Sequence, residues 1–150
     1  MMQVLYKNFY HFKEPITFNI LPALFINYKL QSFLQGCPRE NEICYGVFHI
    51  RGVDKYPPFH EVRNKMITEL NIQGKTDLDI FCSFAPGVSG DIHRDTYEVV
   101  LLSVLGETCY RVDDKKYFLK PGDLLRVGRG HPHQAIGLDP RIVLSLGHGF

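Results

Sequence analysis

The chain lacks a charge excess, a long apolar run and a paired cysteine motif, and each absence removes a class of protein. Lysine plus arginine number 17 against 16 aspartate plus glutamate, so there is no global electrostatic pull toward nucleic acid or an acidic membrane surface. No stretch approaches the ~18 consecutive apolar residues that crossing a bilayer requires. The N-terminus also lacks the basic-then-apolar order and small-residue cleavage site of a secretory signal, so the expected compartment is the cytoplasm. The four cysteines, Cys37, Cys44, Cys82 and Cys109, are scattered and form no CxxC pair; neither a zinc knuckle nor a redox motif is written, and reduced thiols are expected. Cys82 and Cys109 lie in apolar runs, where cysteine acts as a small hydrophobe.

What is present divides near residue 76. A length of 150 residues suits one domain, with residues 1–76 as a preface of helices and a strand and residues 77–150 as a β core. In the preface, residues 22–35 carry Leu24, Phe25, Tyr28, Phe33 and Leu34 at helical spacing and run into Gly36, which predicts a helix. Residues 59–71 follow Pro57 and Pro58 and place Val62, Met66, Ile67 and Leu70 on one face, which predicts a second. Residues 43–50 read as a strand. Beyond Asp77 the segments are short, rich in Val, Leu, Ile, Tyr and Phe, and interrupted by turn residues. Strands are expected at 78–84, 97–105, 107–112, 116–120, 123–128, 132–137 and 141–147, with turns at Asp113–Asp114 and Pro121–Gly122. The fold class is mainly β, an antiparallel barrel behind a short α+β extension.

Three side chains sit in glycine-marked frames. The first frame runs from Gly87 through five residues to His93, Arg94 and Asp95; the second holds Gly122, Asp123, Gly130, His131, Pro132 and His133. On a strand His93 and Asp95 share a face and can chelate one ion, while Arg94 points elsewhere. Forty residues separate His93 from His133, enough chain for several short strands to circle a small barrel and return to its mouth. Gly87 and Gly90 are expected to loosen a loop before the first pair, and Gly128 and Gly130 to allow the turn that aims His133 inward. Two imidazoles and a carboxylate suit a non-haem iron(II) centre, because they occupy one face of an octahedron and leave positions open. His131 fits the spacing less well than His133 and reads as a loop residue. His11, His49, His60 and His148 stand in no ligand spacing and read as surface or satisfied core histidines. Glu98 falls on the opposite face from His93 and Asp95.

These frames carry a family resemblance. The stretch from Gly87 to Gly147 resembles the double-stranded β-helix of the cupin superfamily, with Gly87 and His93 matching its first motif and Gly122, Gly130 and His133 its second. Asp95 stands in place of the first motif's second histidine, as in the JmjC-type 2-oxoglutarate-dependent oxygenases. More narrowly, the segments HRDTYEVVLLSVLGETCYRV, LKPGDLLRVGRGHPHQA and RIVLSLGHGF resemble the ribosomal oxygenase branch of that group. The resemblance covers about 60 of the 150 residues and leaves the first 75 unmatched.

The resemblance implies iron(II) held by His93, Asp95 and His133, with 2-oxoglutarate as cosubstrate. It also exposes a departure. Thr108 stands where those oxygenases carry an arginine or lysine that clamps the distal carboxylate of 2-oxoglutarate; its hydroxyl lacks that charge but can donate a hydrogen bond to the cosubstrate beside another cation. Arg141 is the replacement candidate, because it resembles in position the strand arginine that serves prolyl-hydroxylase-like oxygenases. Val143 and Ser145 share its face by strand parity. Arg126 is a reserve cation, and Tyr97, two residues after Asp95, is a candidate for contact with cosubstrate or substrate.

The implied activity is that of a 2-oxoglutarate-dependent dioxygenase acting on a small molecule or peptide, with a homodimer as a possible assembly because sheet edges need covering. Two other classes stand beside it. A metallocupin that does not use 2-oxoglutarate, a dioxygenase or isomerase, is favoured by Thr108. A binding module without turnover is allowed because fold never establishes function.

Overall fold

The computed structural model describes residues 3–35 and 47–150. Eleven strands among them form two antiparallel sheets, of seven and four strands. In chain order these are β1 (Val4–Tyr6), β2 (Lys29–Gln35), β3 (Val47–Arg51), β4 (Thr76–Ser83), β5 (Gly87–His93), β6 (Glu98–Leu105), β7 (Thr108–Val112), β8 (Lys115–Leu119), β9 (Leu124–Val127), β10 (His133–Gly137) and β11 (Arg141–His148). The larger sheet runs β1-β9-β6-β11-β4-β3-β2 and the smaller β5-β10-β7-β8. The chain is mainly β and its two sheets build a jelly roll.

Alternation along the strands divides the interior in two. On one face of the larger sheet Leu78, Ile80, Cys82, Val100, Leu102, Leu124, Ile142, Leu144 and Leu146 pack in a single apolar cluster with the N-terminal elements. Against them lies helix α2 (Pro57–Glu69), which opens on a proline, where the missing N–H costs nothing, and fully buries Phe59, Val62 and Met66. Each such side chain contributes roughly 1.5–3 kcal/mol on burial. The other face turns toward the smaller sheet, where Val99, Leu101, Leu125, Val127 and Val143 meet Tyr110, Val112 and Leu119.

The N-terminal segment departs from its expected form. Only Leu21–Asn27 is helical (α1); from Lys29 the chain is strand β2, paired with β3 from Lys29↔Arg51 to Gln35↔Val47. A short apolar run supports either period, and the unpaired edge of β3 decides for the strand. The glycine-bearing segment before His93 is likewise strand β5, not a loop, because it pairs along β10 from Val88↔Ile136 to Gly87↔Gly137. The β1 strand, unanticipated, caps the other edge by pairing with β9. The second predicted helix is α2, and the seven predicted core strands all form. The 43–50 strand is observed from Val47, and its earlier part, like Cys37 and Cys44, lies outside the described residues. Cys82 and Cys109 are buried free thiols.

Both predicted turns form. Asp113 and Asp114 take positive φ of 48° and 68° between β7 and β8, the twist that suits a two-residue hairpin. Gly122, at φ +98°, turns the chain into β9, and a side chain there would strike the His11 ring at 2.5 Å. No helix among the described residues is long and apolar enough to cross a membrane.

Candidate metal centre and its cavity

Strand β5 ends at His93, and β10 begins at His133, and the two residues are register partners across the smaller sheet. Their rings lie 4.3 Å apart. Asp95 is past the end of β5, so strand parity does not place it, contrary to the expectation from alternation. Two cross-links between the loops do: the Gly130 N–H donates to the Asp95 carbonyl at 2.9 Å, and Arg94 Nη1 donates to the Gly130 carbonyl at 2.7 Å. Gly130 accepts this role at φ +79°, in the left-handed region that favours glycine. The two glycine-marked frames are thus tied to each other directly.

The result is a compact donor set. His93 Nε2 is 3.9 Å from Asp95 Oδ1, and His133 Nε2 is 3.3 Å from Asp95 Oδ2. One donor atom from each of the three residues lies within 4.8 Å of the others, close enough for a single ion bonded at about 2 Å. The His133 Nδ1–H donates to the His131 carbonyl at 2.9 Å, which fixes the ring plane, as metal-ligating histidines require; Nε2 then faces Asp95, donating to it when the ring is protonated and offering its lone pair to a metal when the ring is neutral. Burial pushes the Asp95 carboxyl up, but the hydrogen bond from His133 and the charges of His133 and His93 outweigh it and hold the carboxyl below its ordinary range. Burial likewise lowers His133, yet Asp95 and the His131 carbonyl raise it overall. The lowered Asp95 carboxyl is ionised and two imidazoles stand within reach of it, so the donor chemistry and spacing of the residues present fit a divalent metal, which would displace the proton that His133 otherwise shares with Asp95.

The three donors open into a cavity of about 310 Å³ also lined by Val47, His49, Phe81, Tyr97, Tyr110, Arg141 and Ser145. Arg141, Val143 and Ser145 all face it from β11. The Arg141 residue is 4% exposed; burial lowers its pKa, with Tyr110 and Cys82 acting the other way, and a guanidinium remains charged under such a shift. Its neighbour Cys82 is pushed up to about 12 by burial, an effect Arg141 reduces, and so stays a thiol. Burial first, then the Asp95 and Asp79 charges, raise the Tyr97 hydroxyl, which keeps it a neutral hydrogen-bonding group.

Two candidate residues are placed elsewhere. Arg126 lies on the far face of the larger sheet, where Nε meets Glu98 Oε1 at 2.6 Å and Nη1 donates to the Leu70 carbonyl at 3.0 Å. Strand parity explains this: its neighbours Leu125 and Val127 take the inward face, so Arg126 takes the outward one and is no reserve for the cavity. Thr108 is fully buried in β7 beside the cavity, and it is not among the residues that line it. His131 pairs with Asp113 and takes no part in the donor cluster.

One contributor was missed. His49, read as a surface or core histidine, lines the cavity from the preface, stacked on Phe81 at 4.3 Å and 15° and bonded through Nε2 to Asp79 at 2.7 Å. No glycine frame or ligand spacing marks it. Only the pairing His49↔Phe81 between β3 and β4 brings it to the site.

The comparisons with known proteins bear on this geometry. The cupin domain family model matches residues 80–145, which contain all three donors and both glycine frames. In this stretch the chain is similar to the cupin domain. No curated protein sequence matches the chain. Among solved structures, the barrel and its preface resemble YcfD, a ribosomal oxygenase from Escherichia coli. In complex with cobalt and 2-oxoglutarate, YcfD superposes with a TM-score of 0.76 at 22% identity, over 99% of this chain and 48% of that one. A second YcfD crystal structure gives 0.77 at 21% identity, over 99% and 48%. The chain therefore spans about half the length of the structures it matches, and the likeness is one of fold, reaching into the preface that the sequence left unmatched.

Proposed function

We propose that the chain is an iron(II)- and 2-oxoglutarate-dependent oxygenase of the cupin type. The observation that carries this reading is the opening of the His93–Asp95–His133 donor set into the same cavity as the buried guanidinium of Arg141. Two imidazoles and one carboxylate suit iron(II) with exchangeable positions, and a buried cation in reach of a metal site suits a cosubstrate that carries a carboxylate at each end. Bound iron would supply oxygen activation and oxidation of a substrate C–H bond, coupled to conversion of 2-oxoglutarate to succinate.

The chain's own residues provide holding, orientation and exclusion of water. His93, Asp95 and His133 hold the metal, and the His131 carbonyl and the Gly130 cross-links keep them in place. Arg141 fixes the distal carboxylate, with Ser145 on the same face of β11 as a hydroxyl contact. Val99, Leu101, Val143 and Ala135 make that part of the cavity wall apolar, which strengthens the guanidinium's hold on an anion. Tyr97 and His49 line the remaining wall and offer polar contacts to a small-molecule or peptide substrate.

A second reading rests on Thr108. A metal-dependent cupin enzyme that acts directly on a chelating small molecule needs no cosubstrate clamp. Aerobic incubation with iron(II) and 2-oxoglutarate separates the two. Succinate release that disappears in His93→Ala supports the first, and metal binding without any consumption of 2-oxoglutarate leaves the second.

A further inference from the structure

The preface adds strand β3 to the larger sheet beside β4, and β3 sends His49 into the cavity next to Phe81. The two rings stack at 4.3 Å and 15°, so Phe81 covers one face of the imidazole. His49 Nε2 lies 2.7 Å from Asp79 Oδ2. The other ring nitrogen, Nδ1, makes no hydrogen bond among the described residues and is not one of the buried polar atoms left without a partner. It is an accessible polar atom on a ring that lines the cavity.

Asp79 decides what that atom presents. Its Oδ1 accepts the Gly52 N–H at 3.1 Å, its Oδ2 faces His49, and Arg51 Nε stands 3.8 Å away. An ionised carboxylate only accepts, so the imidazole nitrogen facing it carries the proton, and in the neutral ring Nδ1 is then an acceptor. Asp79 itself does not line the cavity: its charge is met from behind by Arg51 and Gly52, and only the imidazole reaches the ligand space. Tyr97 and Tyr110 line the same space, so the acceptor sits among flat rings, against which a flat partner packs best. Backbone pairing already joins β3 to β4, so a tether between them does not by itself account for a histidine turned into the cavity.

We infer that His49, oriented by Asp79, is a specificity-determining residue that accepts a hydrogen bond from a neutral, planar group of the substrate: the N–H of a heterocycle or amide, or the O–H of a phenol. The inference rests on the proposed function for the statement that the group bound here is what the metal centre acts on, and it deepens that reading by naming the substrate class. A cationic group is disfavoured, because the one carboxylate near His49 is engaged by its own neighbours. Asp79 is the positioning residue that selects which imidazole nitrogen is left for the substrate.

Phenol, anisole and benzylammonium share a ring and differ in what they present: a neutral donor, no donor and a cation. Titration of each into the metal-free chain, followed by NMR, tests the inference. Wild type is expected to bind phenol about three- to tenfold more tightly than anisole, the scale of one neutral hydrogen bond, and benzylammonium no better than anisole. His49→Phe keeps a ring against Phe81 and should abolish the preference for phenol while leaving anisole unchanged. Thermal melts check folding, and His49→Gln, which keeps a donor for Asp79, carries the test if His49→Phe does not fold. With manganese(II) loaded, the protons of bound phenol should be relaxed by the metal. Equal binding of phenol and anisole by wild type, a phenol preference that survives in the folded variants, a preference for benzylammonium, or bound phenol that manganese does not relax each overturns the inference. Failure of manganese-loaded wild type to take up 2-oxoglutarate overturns the cosubstrate reading instead, while a phenol preference that depends on His49 still supports the role of His49.

Discussion

The two faces of the larger sheet carry the same chemical parts and use them differently. On the outer face Arg126, Glu98 and His148 form a closed set: both Arg126 Nε and His148 Nε2 lie 2.6 Å from Glu98 Oε1, and Arg126 also reaches the Leu70 carbonyl behind α2. On the inner face Arg141 looks into a cavity, and Asp95 and two histidines face it from across the barrel. Strand β11 contributes to both, His148 to the outer set and Arg141 to the inner, with residues of opposite parity. The outer set spends its charges on one another and ties β6, β9, β11 and α2 together. The inner set also lines a space that a ligand can enter, so burial alone does not separate structural from functional charge. What separates them is that one set opens on a cavity and the other does not.

The sharpest way to break this contrast is to remove one member from each side. Asp95→Ala is expected to abolish detectable metal binding and with it any 2-oxoglutarate turnover, while leaving the melting temperature near wild type; metal titration and a thermal scan read the two effects. Glu98→Ala should do the reverse. Stripping the carboxylate from a buried set leaves Arg126 without its counter-charge and should cost about 3–5 kcal/mol, read by denaturant unfolding, with metal affinity retained in the folded fraction. If Glu98→Ala proves silent, the outer set is not the structural tie described above.

A third, smaller effect depends on pH. Burial pushes the Asp123 carboxyl up, but backbone N–H groups of Asn8 and Lys120 and the Lys7 ammonium outweigh that and lower it. A carboxyl lowered by folding stabilises the native state above the ordinary value of about 3.9 and loses that contribution as pH falls through its lower folded value. Asp123→Asn should therefore cost about 1–3 kcal/mol at neutral pH, and the difference from wild type should close on acidification below pH ~4. Denaturant midpoints across that range show it; a difference independent of pH would mean that shape, not charge, holds the N-terminal strand. The smallest effect belongs to the exposed hairpin pair Arg111–Asp114, at 2.8 Å. Arg111→Ala should cost no more than about 0.5 kcal/mol, which marks the level below which a charge contributes to neither face.

Much of this was legible in the chain. The core strands beyond Asp77, the two turns, the α2 stripe and the grouping of His93, Asp95 and His133 all follow from local period, turn residues and glycine frames. The failures share a cause. Residues 29–35 became strand because an edge of β3 was available, residues 87–93 became strand because β10 lay alongside, and Asp95 met the histidines through loop cross-links after its strand had ended. Each depends on a partner remote in sequence, and a single window cannot contain it. His49 escaped for the same reason: it arrives at the cavity through β3–β4 pairing, from a part of the chain that carries no ligand spacing.

The chemistry available to this protein is written in its sequence: three side chains bear metal-binding atoms, glycines frame them, and two strand arginines are on offer as cations. These are properties of residue type and short spacing, set before folding. Only the tertiary structure decided which charges face the cavity. Arg126 and Arg141 are both strand arginines that the sequence ranked as alternatives, and parity within the folded sheet gave one to Glu98 and the other to the cavity.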